Sequence, residues 1–184
     1  MQRIALTMIA VFVLAGCAGL QRLPADQPLV QKVIEVPDLT KDEIFRKSEI
    51  WLAQNLRVSK AVTEFERKAR PVMAYANSKE GVLIGNGDIF YPATGIADGY
   101  KADREVSFTV REDVRDGGAR LTFTNLAVYV PKRFCVEYAY GGWLGAYQTQ
   151  LISLEDLNRV RQVLLEMTDR LGVALRTTGN GGDW

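Results

Sequence analysis

The sequence of 184 residues contains no histidine. That absence removes the Ser-His-Asp and Cys-His arrangements of nucleophilic catalysis. It also removes a usual ligand of zinc. Cysteine is nearly absent, with only Cys17 and Cys135 present. Neither sign of charge is in excess, since Lys and Arg total 23 and Asp and Glu total 22. A balanced chain gives no electrostatic case for nucleic acid or for a strongly anionic surface. Long apolar runs are missing as well. The run from Ile4 to Leu14, broken by Thr7, falls short of the about 20 residues that span a bilayer.

What is present at the start is a signal. Arg3 supplies a positive charge, an apolar core follows, and Ala15 and Gly16 stand before Cys17. A basic start, a short apolar segment and small residues at a cleavage site make a secretory leader over residues 1–16. Leu14-Ala15-Gly16-Cys17 resembles the lipobox of bacterial lipoproteins. The resemblance implies a diacylglyceryl thioether on Cys17, cleavage after Gly16 and acylation of the new amino terminus. The expected location is the cell envelope, held by lipid. Ala18, in place of an aspartate, implies the periplasmic face of the outer membrane under the sorting rule of that group. With Cys17 acylated, Cys135 has no disulfide partner. Between Phe134 and Val136 it reads as a small buried hydrophobe.

Residues 17–28 carry Pro24 and Pro28 and no apolar period, and read as a lipidated tether. Residues 29–175 read as one α+β domain and 176–184 as a Gly-rich flexible tail. Leu29 to Val36, closed by Pro37, predicts the first strand. Thr40-Lys41-Asp42-Glu43 is a capping box. With Ile44, Phe45, Trp51, Leu52 and Leu56 at helical spacing, it predicts a helix over 40–56. Residues 58–70 fit either a short helix or a charged strand. From Val72 the pattern is β, with strands near 72–76, 82–91 and 105–112. Val106, Phe108 and Val110 share one face of the last. Asp116-Gly117-Gly118 reads as a hairpin connection. The apolar phase changes from Leu121 and Phe123 to Leu126, Val128 and Val130, which predicts a bulge near Asn125. Ser153 caps a long helix bearing Leu154, Leu157, Val160, Leu164, Met167 and Leu171, with Gly172 where it should stop.

The expected architecture is an antiparallel sheet of four to five strands, with the N-terminal and the long C-terminal helix on one face. The lipobox, the helix with its central Trp51, the Gly81–Gly87 stretch, the Val106-Phe108-Val110 strand and the long terminal helix together resemble one group of envelope proteins. These are bacterial lipoproteins with a domain of unknown function and a TATA-binding-protein-like sheet. The resemblance implies fold and location and no activity.

The candidate sites are few. Gly85-Asn86-Gly87 lacks the ending of a phosphate loop and reads as a bulge or a close backbone approach. Asp98, Asp103 and Glu105 lack calcium-loop spacing. Glu137, among apolar neighbours, is the acid of most interest for hydrolysis of an envelope polymer. Tyr138, Tyr140, Trp143 and Tyr147, interleaved with glycines, make the candidate recognition surface. No metal and no cofactor are expected. The leading reading is a non-catalytic, membrane-anchored binding or structural module that meets an envelope protein or ligand. The alternatives are a carboxylate-dependent hydrolase and a carrier of a small apolar ligand. The carrier requires a pocket of a few hundred Å³ lined by residues such as Trp51, Phe108 and Phe123.

Overall fold

The computed structural model describes residues 20–23, 27–91, 104–131, 133–135 and 142–177. The first helix forms where its caps dictate. Thr40 precedes α1 (Lys41–Asn55), with the Glu43 N–H donating to Thr40 Oγ1 and the Thr40 N–H donating to Glu43 Oε2. Both halves of the capping box are therefore made. Ile44, Phe45, Ser48 and Leu52 form the buried face of α1. The chain over 58–70 is a helix, α2 (Lys60–Glu66), capped by Ser59 through its Oγ and the Ala61 N–H. Arg67, at φ 52°, closes it in the left-handed region.

The main sheet is antiparallel. It contains β2 (Val30–Glu35), β3 (Met73–Asn77), β4 (Val82–Tyr91), β5 (Arg104–Arg115) and β6 (Gly118–Val130) in the order β2-β6-β5-β4-β3. A short sixth strand, β9 (Tyr147–Thr149), pairs with the end of β6 beyond β2. Two small ribbons complete the set. One joins β1 (Leu20–Arg22) to β10 (Leu151–Ser153), and the other joins β7 (Arg133–Cys135) to β8 (Gly142–Leu144). The chain then enters α3 (Leu154–Arg176). Helices α1 and α3 share one face of the sheet, where Ile44, Leu52, Val160, Leu164 and Leu171 meet Val106, Phe108, Val110, Leu121 and Phe123 in one core. This is the expected α+β arrangement, with a third helix added. Helix α2 lies on the opposite face, its Phe65 ring 5.2 Å from that of Tyr129. The chain flanking α2 also covers the part of β4 that β3 leaves unpaired. The Asn86 and Asp88 N–H groups donate to the carbonyls of Val72 and Arg57, both at 2.8 Å.

The expected bulge near Asn125 is present. Ser107 stands opposite Ala127 and Thr109 opposite Thr124, so β6 carries an extra residue opposite Phe108. Asn125 takes φ 54°. Strand β4 runs through its glycines without a shift in register against β5, while against β3 the register shifts between Met73 and Tyr75, opposite Gly85 and Ile84. Gly85 and Gly87 are also places of close approach. A Cβ on Gly87 would stand 2.5 Å from the Phe108 ring, and one on Gly85 would stand 2.5 Å from Leu56 Cδ1.

Two boundaries differ from the sequence reading. The helix does not stop at Gly172 but continues to Arg176. Gly172 is buried against β2, where an added Cβ would stand 3.4 Å from Ile34 Cγ2, so its role is close packing. Residues 20–23 are not a free tether. The Leu23 N–H donates to the Gln150 carbonyl at 2.7 Å, and its side chain is 1% exposed. The buried Leu23 and the pairing of β1 with β10 add this stretch to the fold despite its lack of period, so the described fold begins at Leu20 instead of Leu29.

Replacing Gly87 with Ala is expected to cost roughly 1–3 kcal/mol, because Phe108 cannot retreat from the Cβ without disturbing Phe123. Removing the Thr40 hydroxyl with Thr40→Ala is expected to cost about 1 kcal/mol. Urea unfolding measures both, and a parental midpoint for Gly87→Ala would contradict the close approach.

Candidate functional site

The register of β5 places Val106, Phe108, Val110, Glu112 and Val114 in one phase, and all five are buried. Glu112 thus carries a carboxyl into the helix-covered face, opposite Leu83 of β4 and Leu121 of β6. Helix α1 meets it with Ser48, whose hydroxyl donates to Glu112 Oε1 at 2.7 Å. Both residues have 0% exposure. The second carboxyl oxygen, Oε2, is buried with no hydrogen-bond partner. Burial pushes the Glu112 carboxyl up to about 7, the Ser48 hydrogen bond opposes the rise, and Asp113 adds to it. A charged carboxylate without a cation is costly in such a place, so the neutral acid is favoured there at mildly acidic pH. Glu112 has no open path to a substrate in this arrangement. Its hydrogen bond with Ser48 ties α1 to the sheet.

A second polar group lies on the opposite face. Asp88 is 5% exposed at its side chain and accepts from the Ser59 N–H at 2.6 Å and from Arg70 Nη1 at 3.1 Å. Burial raises its carboxyl, while the Ser59 and Arg70 contacts pull the other way. Arg70 also reaches the Phe108 carbonyl at 3.4 Å. These bonds fasten the chain around α2 to β4. Further along this face, Asp113 accepts two bonds from Arg111, at 2.8 and 2.9 Å, and one from Arg120 at 3.1 Å. Its burial raises its carboxyl, but the two guanidiniums outweigh that and hold it below its ordinary value.

The residues singled out from sequence fare unevenly. Tyr147 lies on β9 and is 42% exposed. The backbone of Trp143 lies in β8, opposite Phe134. Tyr138, Tyr140 and Glu137 lie outside the described residues, as do Cys17, Asp98 and Asp103. Glu105 is in β5, between Phe90 and Tyr129 on neighbouring strands. Among the described residues, no three His, Cys, Asp or Glu side chains are grouped to hold a metal. Phe108 and Phe123 pack edge to face with centroids 5.7 Å apart and are fully buried. They occupy space that the alternative reading, a carrier of an apolar ligand, requires to be open. Trp51 borders a small groove of about 90 Å³ between α1 and α3.

Sequence reasoning missed the Ser48–Glu112 pair. The signal was present, since position 112 continues the even phase of Val106, Phe108 and Val110, and Ser48 lies between Phe45 and Leu52 on the apolar face of α1.

A family model described as a domain of unknown function (DUF4468) with TBP-like fold matches residues 31–129, just over half of the chain. Among solved structures, the chain is similar to a DUF4468 family protein from Bacteroides ovatus ATCC 8483. The TM-score is 0.50 and the identity 10%, over 83% of this chain and 88% of the other. It is also similar to a TBP-like protein from Parabacteroides distasonis ATCC 8503. There the TM-score is 0.53 and the identity 9%, over 82% and 93%. At these identities the likeness concerns the fold alone. No curated protein matches the chain.

The Glu112 carboxyl gives a pH dependence with a defined sign. Its folded value lies above the unfolded 4.5. The stabilisation is therefore complete below about pH 4.5 and is lost as pH rises through about 7, on the order of 3 kcal/mol in all. The chain has no histidine to titrate in that window. Glu112→Gln is expected to flatten the stability curve between pH 4.5 and 7.5. A variant whose unfolding free energy still falls as steeply as the parent's would assign the titration elsewhere.

Proposed function

The chain belongs to the DUF4468 family with TBP-like fold, and from that premise we propose that it is a lipid-anchored, non-catalytic module of the bacterial envelope. The observation that carries this reading is Leu14-Ala15-Gly16-Cys17 behind a basic and then apolar leader. The missing histidine, the balanced charge and the filled interior around Phe108 and Phe123 support a module that binds or braces another component over one that turns over a substrate. The exposed Tyr147 on β9 supports contact through the segment that also holds Tyr138, Tyr140 and Trp143. Retention at the outer membrane follows from Ala18 after the lipidated cysteine.

Cys17→Ser in the full chain is expected to abolish incorporation of labelled palmitate and to move the protein from the membrane pellet to the soluble fraction. Continued sedimentation with membranes in the absence of label would sink the lipid anchor.

A further inference from the structure

Only Ala18 and Gly19 separate Cys17 from Leu20, the first residue of β1. Three residue steps span at most about 10 Å of extended chain. Leu20 is held opposite Ser153, the residue that caps α3. Adding the step of about 5 Å across the ribbon, Cys17 can lie no further than about 15 Å from the N-terminal end of α3, which defines the end of the molecule that faces the bilayer.

The sheet brings a particular surface to that end. Arg104 at the start of β5 pairs with Asp156 in the first turn of α3, Nη1 to Oδ2, at 3.1 Å. The next rung runs from Phe90 through Glu105 to Tyr129, and Val130 beyond it stands opposite Tyr147. Phe90 is 60% exposed, Leu154 49% and Tyr147 42%. Among the described residues the exposed aromatics are Phe65, Tyr75, Phe90 and Tyr147. Tyr75 stands opposite Ile84, towards the other end of the sheet, while Phe65 stacks on Tyr129. Two of these four rings, Phe90 and Tyr147, together with Leu154, thus lie where the chain leads to Cys17, while the exposed aliphatics Val33, Ile50 and Val173 lie elsewhere. Rings at such a boundary suit the headgroup region, which accepts an apolar body and a polar tip together.

We propose that this end of the domain is a lipid-contacting face, with Phe90, Tyr147 and Leu154 seated at headgroup level. The proposal rests on the reading that Cys17 carries lipid. The tether is too short to let the domain drift, so even a weak contact is favoured by the high local concentration of bilayer. The consequence is a fixed posture: the sheet stands on the ends of β4 and β6, and the Asp116-Gly117 turn points away from the membrane.

Hydroxyl-radical footprinting read by mass spectrometry tests this in two preparations. One is the lipidated chain purified from membranes and returned to phosphatidylethanolamine–phosphatidylglycerol vesicles. The other is the chain from residue 17 with Cys135→Ser, coupled through the Cys17 thiol to a maleimide lipid in the same vesicles. The variant is first checked for the parental unfolding midpoint. The expected result is several-fold protection of Phe90, Tyr147 and Leu154 relative to the same chain in solution, with Tyr75 and Ile50 oxidised as before. Equal oxidation of both sets on vesicles would overturn the face. The chemically anchored arm answers even if the cell-made chain carries no lipid, and that second outcome would count against the anchor alone. If the Cys135→Ser chain does not fold, the purified lipidated chain carries the test.

Discussion

The alternation of β5 is the constraint from which the rest of the structure follows. Its even residues are buried beneath two helices. Phe108, at the centre, takes the space above Gly87 on one side and packs against Phe123 on the other. That ring explains why β4 carries glycine at a strand centre, where glycine otherwise weakens a sheet. It also lies opposite the bulge in β6, where Asn125 takes up the extra residue so that Leu126 and Val128 can return to the core. An antiparallel neighbour cannot shift by one residue without turning its apolar set outward. The positions of β4 and β6, and then of β2 against β6, are settled once β5 is.

The two faces of the sheet are built on different terms. The α1/α3 face is apolar except for Ser48, Glu112 and Thr168, and the Thr168 hydroxyl returns to the Leu164 carbonyl. The other face is shared between the α2 chain and solvent. Its polar residues are arranged as fasteners: Asp88 with Ser59 and Arg70, and Asp113 with Arg111 and Arg120. The exposed pairs contribute little stability, as ion pairs in water do. The part-buried Asp88 contacts matter more, because they hold an irregular stretch of chain along an otherwise open strand edge.

What was legible in the sequence was local. The capping box at Thr40, the Ser153 cap, the hairpin at Asp116-Gly117 and the phase change near Asn125 each depend on residues a few positions apart. What was hidden depended on contacts distant in sequence. Gly172 carries the ordinary sign of a helix end, and only its contact with Ile34 shows why the helix continues. Residues 20–23 have the composition of a tether and become a strand because β10 offers them an edge. Helix α2 has too few apolar residues to declare itself and is set by Val62 and Phe65 packing on the sheet. Of the aromatic segment, Tyr147 is seen to be exposed.

Glu112 belongs between these cases. Its phase was plain, yet a charged residue beside Arg111 and Asp113 is ordinarily placed in water. An apolar residue would fill the same space without the desolvation cost. An apolar contact, however, tolerates sliding, and a hydrogen bond from Ser48 does not. The Ser48 hydroxyl reaches Glu112 Oε1 at one position of α1 along the sheet. The remaining oxygen has no partner, so burial favours the neutral acid even though the Ser48 bond favours the charged one. The cost of the buried acid and the definition it gives to the helix position are therefore two consequences of the same bond. Ionisation raises the first and strengthens the second, since the Ser48 hydroxyl donates more strongly to a carboxylate; desolvation is the larger of the two, so stability falls as the pH rises.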